Sequence, residues 1–120
     1  MKKINVFLDD YRKPPDGFVY VNTIVECLEL LRTCEIGHLS LDHDLESKRE
    51  NGMMLVKIMV REKLSADHIT VHSANAVGGK AMYKCLKLAQ SSHIYSFDTT
   101  LSLRPLPLDS YTPIMLKHYQ

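Results

Sequence analysis

Two adjacent carboxylates, Asp9-Asp10, directly follow the apolar run Val6-Phe7-Leu8. Like charges at the end of a buried strand are costly unless something positive compensates them. A hard divalent cation does so through oxygen ligands while keeping several of its waters, which makes Mg2+ or Mn2+ the natural candidate. An ion pair between one aspartate and Arg12, with the other solvated, meets the same need. A second apolar run, Leu39-Ser40-Leu41, breaks off into Asp42-His43-Asp44, and a third, Ile69-Thr70-Val71, into His72-Ser73-Ala74-Asn75. In extended chain, Asp42 and Asp44 point to one side and His43 to the other. Asp9, Asp10, Asp42 and Asp44 are therefore the candidate metal ligands. Asp42, His43 and His72 are the candidate catalytic groups, since histidine titrates near neutral pH and suits proton transfer. The plainer alternatives are that Asp44 caps a turn, His43 packs sideways and His72 is a satisfied core residue.

Ser73 can hydrogen-bond an anionic oxygen, and Asn75 can orient a substrate or cap a helix. Gly78-Gly79-Lys80 sits at an expected helix start, where free N–H groups and the positive dipole end suit phosphate. The segment lacks the spacing and the hydroxyl of a Walker A loop. Arg12, Ser73, Asn75, Gly78 and Lys80 are thus the candidate substrate-binding residues. Asn51-Gly52 reads as a turn that starts a helix.

These groups meet only if the elements carrying them run in parallel. Residues 4–8 read as a buried strand, Pro14-Pro15-Asp16-Gly17 as a loop, and Phe18 to Val21 as a second strand. Asn22 or Thr23 caps a helix bearing Ile24, Cys27, Leu28 and Leu31, with Glu26 completing a capping box after Thr23 and Gly37 as its stop. A strand at 38–41 follows. Next come a polar stretch at 46–52, a helix over about 52–63, and a strand at 69–71. A helix with Met82, Cys85, Leu86 and Ala89 on one face comes next. Ile94 to Phe97 is the candidate fifth strand. Leu101-Ser102-Leu103 alternates like an antiparallel edge strand turned at Thr99-Thr100. Pro105, Pro107 and Pro113 exclude a long helix in the tail. Strands alternating with helices predict a mostly parallel sheet, and its carboxyl edge is where such sheets bind ligands.

The totals fit one domain over residues 1–120, with 45% apolar and 24% charged residues and a net charge of +1. Nothing global points to nucleic acid or a membrane surface. Cys27, Cys34 and Cys85 are odd in number and show no Cys-x-x-Cys spacing, as expected for reduced thiols in a cytoplasmic protein. His38, His68, His93 and His118 fall at element edges or in the tail and read as surface residues.

Phe7-Leu8-Asp9-Asp10-x-Arg12, Leu41-Asp42-His43-Asp44-Leu45, Asn51-Gly52, and Val71-His72-Ser73-Ala74-Asn75 with Gly78 and Met82 together resemble the cyclic-phosphate-processing receiver-like domain family over about residues 4 to 90. The resemblance implies a receiver/flavodoxin-like three-layer sandwich with a mostly parallel five-stranded sheet. It implies Mg2+ at Asp9 and Asp10, a phosphoryl-accepting position at Asp42 and a sensing hydroxyl at Ser73. Three departures stand out. There is no room for a full first helix between Asp10 and Phe18. The lysine-proline pair expected after the fifth strand is missing after Ile94–Phe97, with Arg104-Pro105 standing in only if Leu101–Leu103 is that strand. Two histidines are added.

The expected function is metal-assisted hydrolysis of a cyclic phosphate on a nucleotide or an RNA end, with nucleic acid only as an end substrate and no membrane partner. The rivals are a signalling receiver phosphorylated on Asp42 and a non-catalytic module for a phosphorylated ligand. A two-histidine phosphoesterase ranks last, since neither His43 nor His72 begins a His-x-Ser/Thr motif. Residues 101–120 are expected as an irregular C-terminal extension that covers an edge or supports an oligomer.

Overall fold

In a computed structural model, residues 2–45 and 50–105 of the protein are described. The strands are β1 (Ile4–Leu8), β2 (Phe18–Val21), β3 (Ile36–Leu41), β4 (His68–Ser73) and β5 (Thr100–Pro105). The helices are α1 (Ile24–Thr33), α2 (Gly52–Glu62) and α3 (Ala76–Ser91). The strands form one all-parallel sheet in the order β2-β1-β3-β4-β5. That is the flavodoxin-like order, in which the strand sequence reverses between β1 and β3 and leaves a crevice beyond their carboxyl ends.

Each helical connection (β2 to β3, β3 to β4, β4 to β5) steps the same way across the sheet. Right-handed crossovers then put all three helices on one face. There Val6, Leu8, Leu39, Leu41, Ile69, Val71 and Leu101 pack against Leu28, Leu55, Met59, Met82 and Leu86. The step from β1 to β2 goes the other way and has no helix, as the short Asp10–Phe18 spacing requires. The described residues therefore form two layers. The tail at 106–120, the polar stretch 46–49 and His118 lie outside them.

Local signals set the helix ends. Thr23, not Asn22, caps α1, with its Oγ1 accepting from Glu26 N at 3.2 Å and donating to Glu26 Oε1 at 3.0 Å. Asn51 caps α2 through Met54 N at 3.1 Å. Gly37 does not stop a helix. It lies inside β3, where a bulge beside Ile4 lets Asn5 Oδ1 accept from His38 N at 3.0 Å.

Two expectations at the C-terminal end are corrected. Ile94–Phe97 is not a strand. His93 takes a left-handed φ of 63°, and Gln90 Nε2 donates to Ser96 O at 3.0 Å and Thr99 O at 2.8 Å, which folds the segment into turns. Leu101–Leu103 is the fifth strand, and it is parallel because α3 carries the chain back to the start of the sheet. Arg104-Pro105 therefore does end β5.

His38 and His68 are also not plain surface residues. Their rings are half-buried and stacked 4.2 Å apart on the helix-free face, with Nε2 atoms bonded to Thr70 and Ser102 hydroxyls. Burial, followed by the neighbouring His68, Arg104 and His72, holds His38 below its ordinary pKa. Cys27 is buried, and burial pushes its thiol up to about 12. Cys34 is exposed and Cys85 half-buried. No helix among the described residues is long and apolar enough to cross a membrane.

Candidate active site

β1 delivers Asp9 to the crevice, buried completely. Its Oδ1 accepts from the backbone N–H groups of Tyr11 at 2.8 Å and Arg12 at 2.9 Å, so the carboxylate caps the turn that follows its own strand. Its Oδ2 accepts from Arg12 Nη1 at 2.8 Å and His72 Nε2 at 3.0 Å. Burial pushes the Asp9 carboxyl up, but the bonds from His72, the two backbone amides and Arg12 outweigh it, and it ionises below the usual aspartate range.

β3 delivers Asp42, 1% exposed. Burial and then the Asp9 charge drive its carboxyl up to about 7, although Arg12 and a hydrogen bond from Ser73 pull the other way. Arg12 Nη1 stands 3.6 Å from Asp42 Oδ2, beyond hydrogen-bonding range, and that oxygen is buried with no hydrogen-bond partner. Oxygens of Asp9, Asp10 and Asp42 all lie within 4.8 Å of one another. Asp9 and Asp42 share the Arg12 guanidinium, and Asp10 is half-buried beside them. The clustered carboxylate oxygens and the orphaned Asp42 oxygen fit a hard divalent cation.

Asp44 is not part of this cluster. Its Oδ1 accepts from His43 Nδ1 at 2.6 Å and from Asn75 Nδ2 at 3.1 Å. A carboxylate only accepts, so Nδ1 of His43 carries the hydrogen of this bond. Asp44 pairs with His43 and Asn75, outside the three-carboxylate cluster.

His72 is enclosed at the tip of β4. It is 5% exposed, and its Nδ1 meets Ser40 Oγ at 2.6 Å while Nε2–H donates to Asp9. Phe7 stacks on the ring at 4.5 Å, nearly coplanar. Both ring nitrogens are hydrogen-bonded within the protein, and His72 braces Asp9. Spacing alone missed Ser40. Its signal was the alternation of β3, which puts Ser40 on the same face as Asp42.

Ser73 is buried, bonded to Asp42 and accepting from Asn75 N at 3.0 Å. Asn75 caps α3 through Gly78 N at 2.8 Å. The expected phosphate cradle at Gly78–Lys80 is corrected here. α3 starts at Ala76, and the N–H groups of Gly78 and Gly79 are already taken by Asn75, so neither is free for an anion. Gly78 has a different purpose. A Cβ there would fall 2.5 Å from the His43 ring, so the glycine makes room for that imidazole. Gly52 does the same beneath Asp42, where a Cβ would lie 2.2 Å from the Asp42 carbonyl oxygen and 2.7 Å from Met82 Cε. Gly52→Ala is expected to cost about 3 kcal/mol in urea unfolding, at the upper end for overpacking, because backbone is what it strikes. A cost under about 1 kcal/mol would mean that the Asp42–Gly52 contact gives way freely. Lys80 is exposed in the second turn of α3 and makes no ion pair among the described residues.

Arg104 is exposed on the helix-free face beside His72 and forms no ion pair with the cluster among the described residues. The Asp-Asp, Asp-His-Asp and His-Ser-Ala-Asn segments thus converge through short contacts, with Gly52, Gly78 and Met82 as the spacers that let them. No curated protein and no solved structure matches the chain. Residues 4–88 match the family described as Cyclic-phosphate processing Receiver domain, with the aspartate, histidine and glycine positions just described inside the matched span, and the chain belongs to that family.

Proposed function

We propose that the protein hydrolyses a cyclic phosphate on a nucleotide or an RNA end with the help of Mg2+ or Mn2+. The observation that carries this reading is the Asp9, Asp10 and Asp42 cluster, with carboxylate oxygens within 4.8 Å of one another and one Asp42 oxygen buried without a hydrogen-bond partner. Asp9, Asp10 and Asp42 would hold the ion, which when bound supplies Lewis-acid polarisation of the phosphoryl oxygens. Arg12 offsets one buried charge and fixes the turn that carries Asp10. His72, braced by Ser40 and Phe7, keeps Asp9 in place. His43, with Nδ1–H held by Asp44, takes a proton at Nε2 from attacking water and returns it to the departing ribose oxygen. One P–O bond forms, one ring P–O bond breaks, and a phosphomonoester with a free hydroxyl results.

The purified protein with Mg2+ or Mn2+ should turn over at least one member of a panel of 2′,3′-cyclic and related cyclic phosphates. His43→Gln should lower the rate about 10²–10⁴-fold, the usual worth of a general acid–base. No turnover of any member overturns the reading, and tight binding without turnover would indicate a ligand-binding module.

The Asp42–Ser73 hydrogen bond and the Arg104-Pro105 ending of β5 favour one second reading, a phosphoryl-accepting Asp42. Incubation with acetyl phosphate and intact-mass measurement separates the two, since only that reading yields a phosphoryl adduct lost in Asp42→Asn.

A further inference from the structure

α3 leaves the site with its outer face lined by cations. Lys80, Lys84 and Lys87 recur at helical spacing with Tyr83, Leu88 and Ser91, and all three lysines are exposed. No acidic residue lies on α3, and none of its lysines makes an ion pair among the described residues. The neighbouring helices differ. α1 carries Glu26 and Glu29, and its Arg32 is bound by Glu62 of α2 at 2.7 Å. A shallow groove of about 290 Å³ runs between Tyr83, Lys84, Lys87, Leu88 and Ser91, with Lys87 Nζ 5.6 Å from the Tyr83 ring centre.

The stripe meets the site at Lys80, which lines a small pocket with Ser73 and Asn75 at the N-terminus of α3. From there the lysines lie progressively further out, about 6 Å of axis between Lys80 and Lys84 and about 4.5 Å between Lys84 and Lys87. A ligand that ends at the site and continues along α3 must be polyanionic at that repeat. A mononucleotide ends before Lys84 and leaves two of the three cations unexplained.

Resting on the hydrolase reading above, we propose that the substrate is a single-stranded polynucleotide whose terminal cyclic phosphate enters the carboxylate–His43 site, while preceding phosphates follow Lys80, Lys84 and Lys87. Tyr83, half-buried with Lys87 over its ring, forms part of the groove wall beside the lysines. Charge complementarity selects the occupant, because the stripe offers cations at a regular interval and no compensating acid.

The test is fluorescence anisotropy with a labelled eight-nucleotide RNA ending in a 2′,3′-cyclic phosphate, against the matching cyclic mononucleotide as competitor. Three phosphate contacts predict a slope of log K against log salt of about −2, and Lys84→Gln with Lys87→Gln should bring it to about −0.7. The double charge reversal Lys84→Glu/Lys87→Glu should weaken oligonucleotide binding at least tenfold with no change in Tm. Equal binding of oligomer and mononucleotide, a slope near zero, or indifference to the charge reversal overturns the proposal. Equally tight binding of polyglutamate or anionic vesicles overturns the assignment to nucleic acid. Turnover of the mononucleotide is read separately. Its absence together with that of the oligomer sinks the hydrolase reading, whereas turnover of both with no lysine dependence sinks only the α3 track.

Discussion

At pH 8 Asp42→Asn is expected to be more stable than the native chain, by about 4 kcal/mol, and the difference should vanish near pH 4. Burial and the Asp9 charge raise the Asp42 carboxyl from 3.8 to about 7 in the folded protein. A carboxyl raised on folding binds its proton more tightly in the native state. Stability is therefore highest below the unfolded value, falls between about 3.8 and 7, and is level above that, at roughly 1.4 kcal/mol per unit. The side chain is 1% exposed, so solvent screens little of this. Asparagine keeps the shape and removes the charge. Urea unfolding from pH 4 to 8 gives the profile for both proteins. Millimolar Mg2+ should raise the midpoint of the native chain and leave that of Asp42→Asn where it was, since ligand binding stabilises only the state that binds. Parallel profiles would show that Asp42 is not held in the environment described.

Arg12→Met should destabilise the protein by about 3–5 kcal/mol at neutral pH, the cost of stripping one partner from a buried ion pair. The guanidinium is 9% exposed, 2.8 Å from Asp9 and 3.6 Å from Asp42, and it is the cation that both carboxylates share in the ion pairs of this site. Methionine fills much of the same volume, so lost packing contributes little. The loss should shrink as pH falls and the carboxylates protonate. It should also shrink in Arg12→Met/Asp42→Asn, where one of the two stranded charges is gone, and a double-mutant cycle measures that coupling. Additive losses would mean that Arg12 serves Asp9 alone.

The convergence of the site was legible because each strand tip announces itself. Apolar residues give way within one position to Asp9, to Asp42 and to His72-Ser73, and a parallel sheet puts such tips on one edge. Roles were harder to read than positions. His72 and His43 look alike in sequence, yet one is sealed between Phe7, Ser40 and Asp9 and the other stands over Gly78 with a nitrogen to spare. Which histidine is buried depends on side chains from strands 30 and 60 residues away, and spacing carries none of that. The same limit misplaced β5. Ile94–Tyr95 has strand composition, but Gln90 ties the following backbone into turns. The alternation at 101–103 records one face against α3 and one face without a helix, which an antiparallel edge would also show. The helix start at Gly78 failed for a related reason. Gly78-Gly79-Lys80 read as a helix start with free N–H groups, whereas Asn75 takes those groups and Gly78 makes room for an imidazole.

The turn after β1 has a bearing on assembly as well as on chemistry. Asp9 meets the amide and guanidinium of Arg12 only three residues away, while its bond to His72 spans 63. Closing the shorter loop costs about 2–3 kcal/mol less in chain entropy. The first acid of the pair thus enters the interior with its counter-ion already alongside, and Asp42 alone has to await the joining of distant strands before its charge can be shared.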